Sequence, residues 1–377
     1  MTHKKILLLS VSAGAGHTRA AEAIRAHVDP SDGGATLIHL DAMNFVTPLL
    51  RKIYTVFYIF LANKAPLLCG LLYQLGNRAN AGGAMQSARR WIERRNAGPL
   101  IREVAALQPD AIICTHFFPA EILSHLIAHG QLRCPVWVQV TDFDLHPMWI
   151  HEHMAGYFAA NEEVAFRMRA KGIAADTIHV TGIPIMPAFS RQPERAVCAR
   201  EFGLDPKITT LLLMGGGDGL GNLQTMAVRL LELEADFQLI VLAGKNTEAL
   251  IALQKLALAY PGRLLPCGFT SQVERLMACA DLVITKTGGL TTSECLAMGL
   301  PIIANAPIPG QEERNADFLL EQGAALKAFD CATLEYRVLY LLAHPAKLQD
   351  MRAKAKALGR PNAARRVLDI VLRPAKT

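Results

Sequence analysis

The sequence of 377 residues has eight cysteines but no C-x-x-C pair. That argues against a structural zinc ribbon or a thioredoxin-type site, and fits buried thiols in a reducing cytosol. It has no run of about 18 apolar residues, so no membrane-spanning helix is expected. The longest apolar run, Ile53 to Ala62, stops at Asn63-Lys64. No G-K-[ST] follows a glycine turn, which excludes a P-loop. Charged residues are only 19% and hydrophobic residues 51%, so wholesale disorder is excluded and a sizeable core is expected. The length allows two domains at about 100–200 residues each.

Acids are scarce in one place. Between Leu49 and Arg95 stand eight basic residues (Arg51, Lys52, Lys64, Arg78, Arg89, Arg90, Arg94 and Arg95) and a single acid, Glu93. The same stretch holds Ile53-Tyr-Thr-Val-Phe-Tyr-Ile-Phe-Leu. Basic residues beside amphipathic apolar surface suit an anionic membrane face. Nucleic acid is not expected, because no aromatic RNA-reading motif accompanies the charge.

The residues that are present alternate between strand-like and helix-like sequence. Lys5-Ile-Leu-Leu-Leu-Ser-Val leads into Gly14-Ala-Gly-His, and Ala20, Ala23, Ile24 and Val28 then fall at helical spacing. A buried first strand is favoured here over a signal peptide. Thr36-Leu-Ile-His-Leu, Ala111-Ile-Ile-Cys-Thr and Val136-Trp-Val-Gln-Val read as further strands. About 200 residues on, the pattern recurs as Thr210-Leu-Leu-Leu-Met, a glycine loop from Gly215 to Gly221 and the helix-like Leu223 to Leu233. Gln238-Leu-Ile-Val-Leu-Ala, Asp281-Leu-Val-Ile-Thr and Pro301-Ile-Ile-Ala follow. The fold class is therefore α/β, with two doubly wound parallel-sheet domains in tandem and a hinge near Gly182 to Pro187. Ala363 to Leu372 reads as an amphipathic helix with Val367, Leu368 and Val371 on one side.

In open α/β sheets, ligands bind at the carboxyl ends of strands, where helix N-termini offer N–H groups to phosphate. A dinucleotide reading stays open on Gly14-x-Gly16 and Asp41, although Arg19 stands where a third glycine would. His17 follows the glycine turn in the first helical turn. A neutral imidazole there accepts a proton from a substrate hydroxyl; otherwise it is a capping residue. Gly288-Gly-Leu-Thr-Thr-Ser-Glu294 puts small residues and hydroxyls at a helix start, with Glu294 one turn in, able to accept both hydroxyls of a ribose or simply to favour the helix dipole.

The chain resembles the GT-B glycosyltransferases that make glycosyl-diacylglycerols, namely monogalactosyldiacylglycerol synthase and the processive diacylglycerol glucosyltransferases. It is more distantly similar to the N-acetylglucosaminyltransferase that forms lipid II. The resemblance rests on Ser12-Ala-Gly-Ala-Gly-His-Thr-Arg-Ala-Ala-Glu-Ala-Ile, Val140-Thr-Asp-Phe-Asp-Leu-His-Pro-Met-Trp149, Val180-Thr-Gly-Ile-Pro-Ile, the stretch from Gly268-Phe to Pro301, and Pro307-Ile-Pro-Gly-Gln-Glu-Glu-Arg-Asn315. It implies two Rossmann-like domains facing an interdomain cleft: residues 1–187 for acceptor and membrane, residues 188–350 for the donor, and a C-terminal helix within 351–377 packing back on the first.

The resemblance further implies a UDP-glucose or UDP-galactose donor and a diacylglycerol acceptor. Gly215, Gly216 and Gly217 would approach the phosphates, with Gly289, Thr291 and Thr292 at the helix start beside them. Phe269 and Thr270 would lie against uracil, Glu294 on the ribose, and Gln311 and Glu312 on the sugar. His17 would be the general base, with Asp142 orienting the acceptor or assisting. Gly14, Gly16, Arg51, Lys52, Tyr54, Phe57 and Trp149 are the acceptor and membrane candidates. The expected reaction is an inverting, metal-independent hexosyl transfer to the sn-3 hydroxyl, with no cofactor, by a peripheral protein on the cytoplasmic face of the membrane. A polyprenyl-linked acceptor of the cell-wall type is the alternative. Alanine at position 15, where the family often has glycine, requires a negative φ there.

Overall fold

A computed structural model describes residues 3–12, 14–29, 34–52, 91–92, 94–215 and 222–373. Tyr54, Phe57, Gly216, Gly217 and most of the basic stretch lie outside the described residues. The chain divides into two units. One comprises residues 1–187, 309–311 and 360–377, the other 188–308 and 312–359.

The first unit is built on six parallel strands: β1 (Lys5–Ser10), β2 (Thr36–Asp41), β3 (Ala111–Cys114), β4 (Val136–Gln139), β5 (Gly156–Ala159) and β6 (Ile178–Val180). Their order is β2-β1-β3-β4-β5-β6. The chain moves outward from β1 to β2, then returns to lay β3 on the other side of β1, with Ile6 opposite Ala111 and Leu9 opposite Cys114. This reversal is the topological switch point. Ile6 to Leu9 are all fully buried, which explains why β1 reads as an unbroken apolar run rather than an alternation. Leu7, Leu9, Ile112, Cys114 and Val138 pack on one face against Leu100, Val104 and Phe118. Ile6, Leu8, Ile113 and Phe158 pack on the other against Ala21, Ile24, Val367 and Leu368. The C-terminal helix Ala363–Val371 thus completes this unit's second face, beside the helix Ala15–Ala26.

The second unit repeats the plan with β7 (Thr210–Met214), β8 (Gln238–Leu242), β9 (Leu264–Cys267), β10 (Leu282–Thr285), β11 (Ile302–Asn305) and β12 (Ala325–Ala328). The order β12-β11-β10-β7-β8-β9 puts the switch point between β7 and β10. Asp281, just before β10, accepts both Arg195 guanidinium nitrogens at 2.9 and 2.7 Å, Arg352 at 2.9 Å and the Thr210 N–H at 2.9 Å. It ties the unit's opening helix Arg195–Glu201 to its closing helix Pro345–Leu358.

Two details differ from the sequence expectation. Pro345–Leu358 runs straight through the boundary expected at 350, and the chain leaves the second unit only at Gly359. There the backbone passes so close to Leu296 that a Cβ would meet its carbonyl oxygen at 2.5 Å, so only glycine fits. Strands β5, β6, β9 and β12 are not among the runs read from the sequence, because a glycine, histidine, proline or lysine interrupts each short apolar run.

Candidate active site

At the first switch point β1 ends, and Gly14 takes φ +100°, a conformation that favours glycine. Ala15 begins the helix Ala15–Ala26 and is absent from the left-handed region, so the alanine is accommodated. No side chain caps this helix. His17 is its third residue. The imidazole Nδ1 lies 3.0 Å from the Thr115 carbonyl oxygen, just past β3, and 2.9 Å from Thr141 Oγ1, just past β4. Thr115 Oγ1 returns a bond to the His17 carbonyl at 2.9 Å. A carbonyl oxygen only accepts, so Nδ1 carries the proton and donates it, and the lone pair sits on Nε2. Among the described residues, Nε2 has no protein partner.

The surroundings keep this ring neutral. His116 meets it edge-on, with ring centroids 4.6 Å apart, and Trp149 lies 6.2 Å away. Burial lowers the His17 pKa to about 4, offset only in part by the Thr115 bond. His116 falls well below the ordinary histidine value, first by burial and then by its neighbour His17. Trp149, expected at the acceptor or the membrane, is only 2% exposed and packs against these rings and Phe117, so its bulk walls the imidazole. Arg51 and Lys52 are exposed at the end of the helix Pro48–Lys52. Asp142 is buried beside Thr141. Gln311, in the 309–311 segment that belongs to this unit, donates its amide N–H to the Asp142 carboxylate. Asp41 spends one carboxylate oxygen on the Ser12 and Met43 N–H groups, at 3.2 and 3.0 Å, which gives it a turn-closing role.

At the second switch point Gly215 follows β7, and Lys286-Thr-Gly288 leads from β10 into the helix Gly289–Ala297, which no side chain caps. Thr292 is fully buried, and its Oγ1 has no partner. Ser293 satisfies itself on the Gly289 carbonyl at 2.8 Å. Thr291 and Glu294 share this helix, Glu294 being 8% exposed. Phe269 is 67% exposed, with Lys245 Nζ 5.8 Å from its ring centre. The Thr270 hydroxyl accepts the Gln272 N–H at 3.0 Å.

The loop after β11 folds back sharply, with φ +40° at Ala306 and +104° at Gly310. Glu312 Oε2 closes it by accepting the Ile308 N–H at 2.8 Å. Thr287 Oγ1 donates to the Glu312 carbonyl at 2.6 Å, and Asn315 donates to the Thr287 carbonyl at 2.9 Å. Burial raises the Glu312 pKa, against smaller opposing effects of the Ile308 N–H and Lys286. The geometry adds Thr115, His116, Thr141 and Lys286 to the residues that the motifs single out. Their common signal is position immediately after β3, β4 or β10.

Two parallel doubly wound sheets, each opening with a strand, a glycine turn and a helix, are the architecture of the GT-B fold. Residues 17–185 match the family model described as monogalactosyldiacylglycerol (MGDG) synthase, and residues 210–367 match the glycosyltransferase family 28 C-terminal domain. The processive diacylglycerol beta-glucosyltransferase of Bacillus licheniformis is 33% identical over 266 residues, 70% of this chain and 69% of that one. The chloroplastic monogalactosyldiacylglycerol synthase 1 of Arabidopsis thaliana is 31% identical over 332 residues, 85% of this chain and 61% of that one. The crystal structure of Acinetobacter baumannii MurG superimposes with a TM-score of 0.63 at 17% identity, covering 98% of this chain and 99% of that one, a likeness of fold. The chain belongs to the family of monogalactosyldiacylglycerol synthases and processive diacylglycerol glucosyltransferases.

Proposed function

We propose that this protein transfers a hexosyl group, glucose or galactose, from a UDP-sugar to the sn-3 hydroxyl of diacylglycerol with inversion, giving a β-glycosyl-diacylglycerol. The observation that carries this reading is His17: a neutral imidazole whose Nδ1–H is committed to a backbone carbonyl and whose Nε2 lone pair is unengaged. The acceptor oxygen attacks the anomeric carbon as the bond from that carbon to the diphosphate breaks. The hydroxyl proton goes to His17 Nε2, and UDP leaves with the electron pair. A base held near 4 is always unprotonated at neutrality but accepts weakly. Proton transfer therefore comes late, once carbon–oxygen bond formation has acidified the hydroxyl.

Donor roles fall to the second unit. Phe269 presents an open aromatic face for uracil, Glu294 takes the ribose hydroxyls, and Glu312 takes a sugar hydroxyl. Gly215 and the uncapped helix start at Gly289, with Thr291, receive the diphosphate, where preorganised N–H groups neutralise the leaving charge; Thr292, expected beside them, is fully buried and lies behind this surface. Transfer needs no metal on this reading. The exposed Arg51 and Lys52 favour an anionic bilayer, to which the protein binds peripherally. Among the described residues no helix is long and apolar enough to cross a membrane.

The test is a panel of UDP-sugars against diacylglycerol and polyprenyl phosphate in anionic vesicles, with and without EDTA. A β-hexosyl-diacylglycerol formed equally with EDTA is expected. Free sugar alone, or product only on the polyprenyl lipid, overturns the proposal.

A further inference from the structure

No motif singles out His116, yet it stands at the same switch point as His17. It is the residue before the helix Phe117–Ala128, in extended backbone, and is only 3% exposed. Its Nδ1 accepts the Phe118 N–H at 3.0 Å. A backbone N–H only donates, so Nδ1 of His116 carries the lone pair, and the neutral ring bears its proton on Nε2. His17 is the opposite tautomer, fixed by the Thr115 carbonyl. The two rings are 4.6 Å apart at 86°, and Trp149 is 6.2 Å from each. Among the described residues neither Nε2 has a protein partner.

Two imidazoles of opposite tautomer, one with its acceptor and the other with its donor nitrogen unengaged among the described residues, therefore meet edge to face beside Trp149 and Phe117. A hydroxyl group donates one hydrogen bond and accepts others. Two imidazoles of the same tautomer would compete for one of these functions; this pair supplies both. We infer that His116 binds the acceptor hydroxyl, its Nε2–H donating to the same oxygen whose proton His17 Nε2 removes. The inference rests on the proposed transfer to a lipid hydroxyl. A hydroxyl held by His17 alone turns freely about that bond. Held by both rings, it keeps one lone pair aimed away from the wall, toward an incoming anomeric carbon. No proton moves to or from His116. Its tautomer is locked by the helix cap, so it stays a donor throughout the reaction.

The test separates the cap from the distal N–H. His116→Asn keeps a side-chain oxygen to accept the Phe118 N–H, since asparagine is among the best residues at that position, but it ends short of Nε2. His116→Gln restores an amide N–H near that reach. Steady-state transfer to diacylglycerol, calorimetric UDP affinity and melting temperature are measured for both, beside His17→Ala. For His116→Asn, an unchanged UDP affinity and near-normal melting are expected, with kcat/KM for diacylglycerol down by about 10–100-fold, the size for a buried polar partner lost. Most of that loss should lie in KM for the lipid, and His116→Gln should recover a large part of it. A kcat/KM within about twofold of wild type in His116→Asn overturns the inference, as does a loss shared equally by UDP affinity and melting. If His17→Ala stays active while His116→Asn falls, the base assignment fails and the His116 role stands. A wild-type protein that glycosylates no diacylglycerol overturns both.

Discussion

The two switch points share a backbone plan and differ in what fills it. After β1 and β3 the space is occupied by rings: His17, His116, Phe117 and Trp149. After β7 and β10 it is lined by Gly215, Gly288, Gly289, Thr291, Thr292 and Ser293. Packed rings strip water from an imidazole and hold it neutral, which suits proton transfer. Small residues leave the first N–H groups of a helix unobstructed, which suits negative charge. One topology thus offers two environments, and side-chain volume at the strand ends separates them.

The largest expected effect that tests this contrast is on the proton side. His17→Ala should lower kcat by about 10²–10⁴ while leaving UDP affinity unchanged, measured by turnover and calorimetry on the same preparation. Near-normal turnover would make His17 a structural residue. On the charge side, Glu294→Ala should weaken UDP binding by about 10–100-fold, the loss of charge-assisted bonds to the ribose. An unaltered UDP affinity would discard the ribose role.

A smaller effect belongs to Thr292, whose buried hydroxyl has no partner. Thr292→Val keeps the shape and removes the orphan, so it should raise stability by about 1 kcal/mol in denaturant melts and leave UDP affinity unchanged. A several-fold loss of affinity would show that the hydroxyl reaches the diphosphate.

The gentlest test is pH. With the His17 pKa lowered to about 4, protonation removes the base only below that value. The rate should stay level between about pH 5 and 7, where a base at the ordinary 6.5 would lose activity. The same depression makes the unfolded chain bind more protons than the folded one between about 6.5 and 4. Stability is therefore full above 6.5 and declines as pH falls through that window. A rate that halves near 6.5 would show the ring to be solvated.

Much of the proposed donor region is visible in the sequence because it is local. Strand, turn, glycine pair, hydroxyls and acid follow one another from Asp281 to Glu294, and the structure keeps them contiguous. The amphipathic stripe of Val367, Leu368 and Val371 also reads directly, and it is the face buried against β1. The ring cluster around His17 is harder to read. Thr115, His116 and Thr141 are far from His17 in the chain, and they meet it only because β3 lies beside β1 and β4 beside β3. Trp149 shows the same limit from the other side, since an aromatic next to a polar motif looks interfacial until its packing is known.

By itself the sequence determined the α/β class, the two-fold repetition, the helix-start position of His17 and the hydroxyl-rich helix start ending in Glu294. These follow from periodicity and from residues adjacent in the chain, which covalent geometry alone brings together. Only the tertiary structure decided which nitrogen of each histidine carries the proton, and which rings drive water from them. Those depend on hydrogen-bond partners delivered by neighbouring strands, and strand order is set by packing of the whole sheet rather than by any local run of residues.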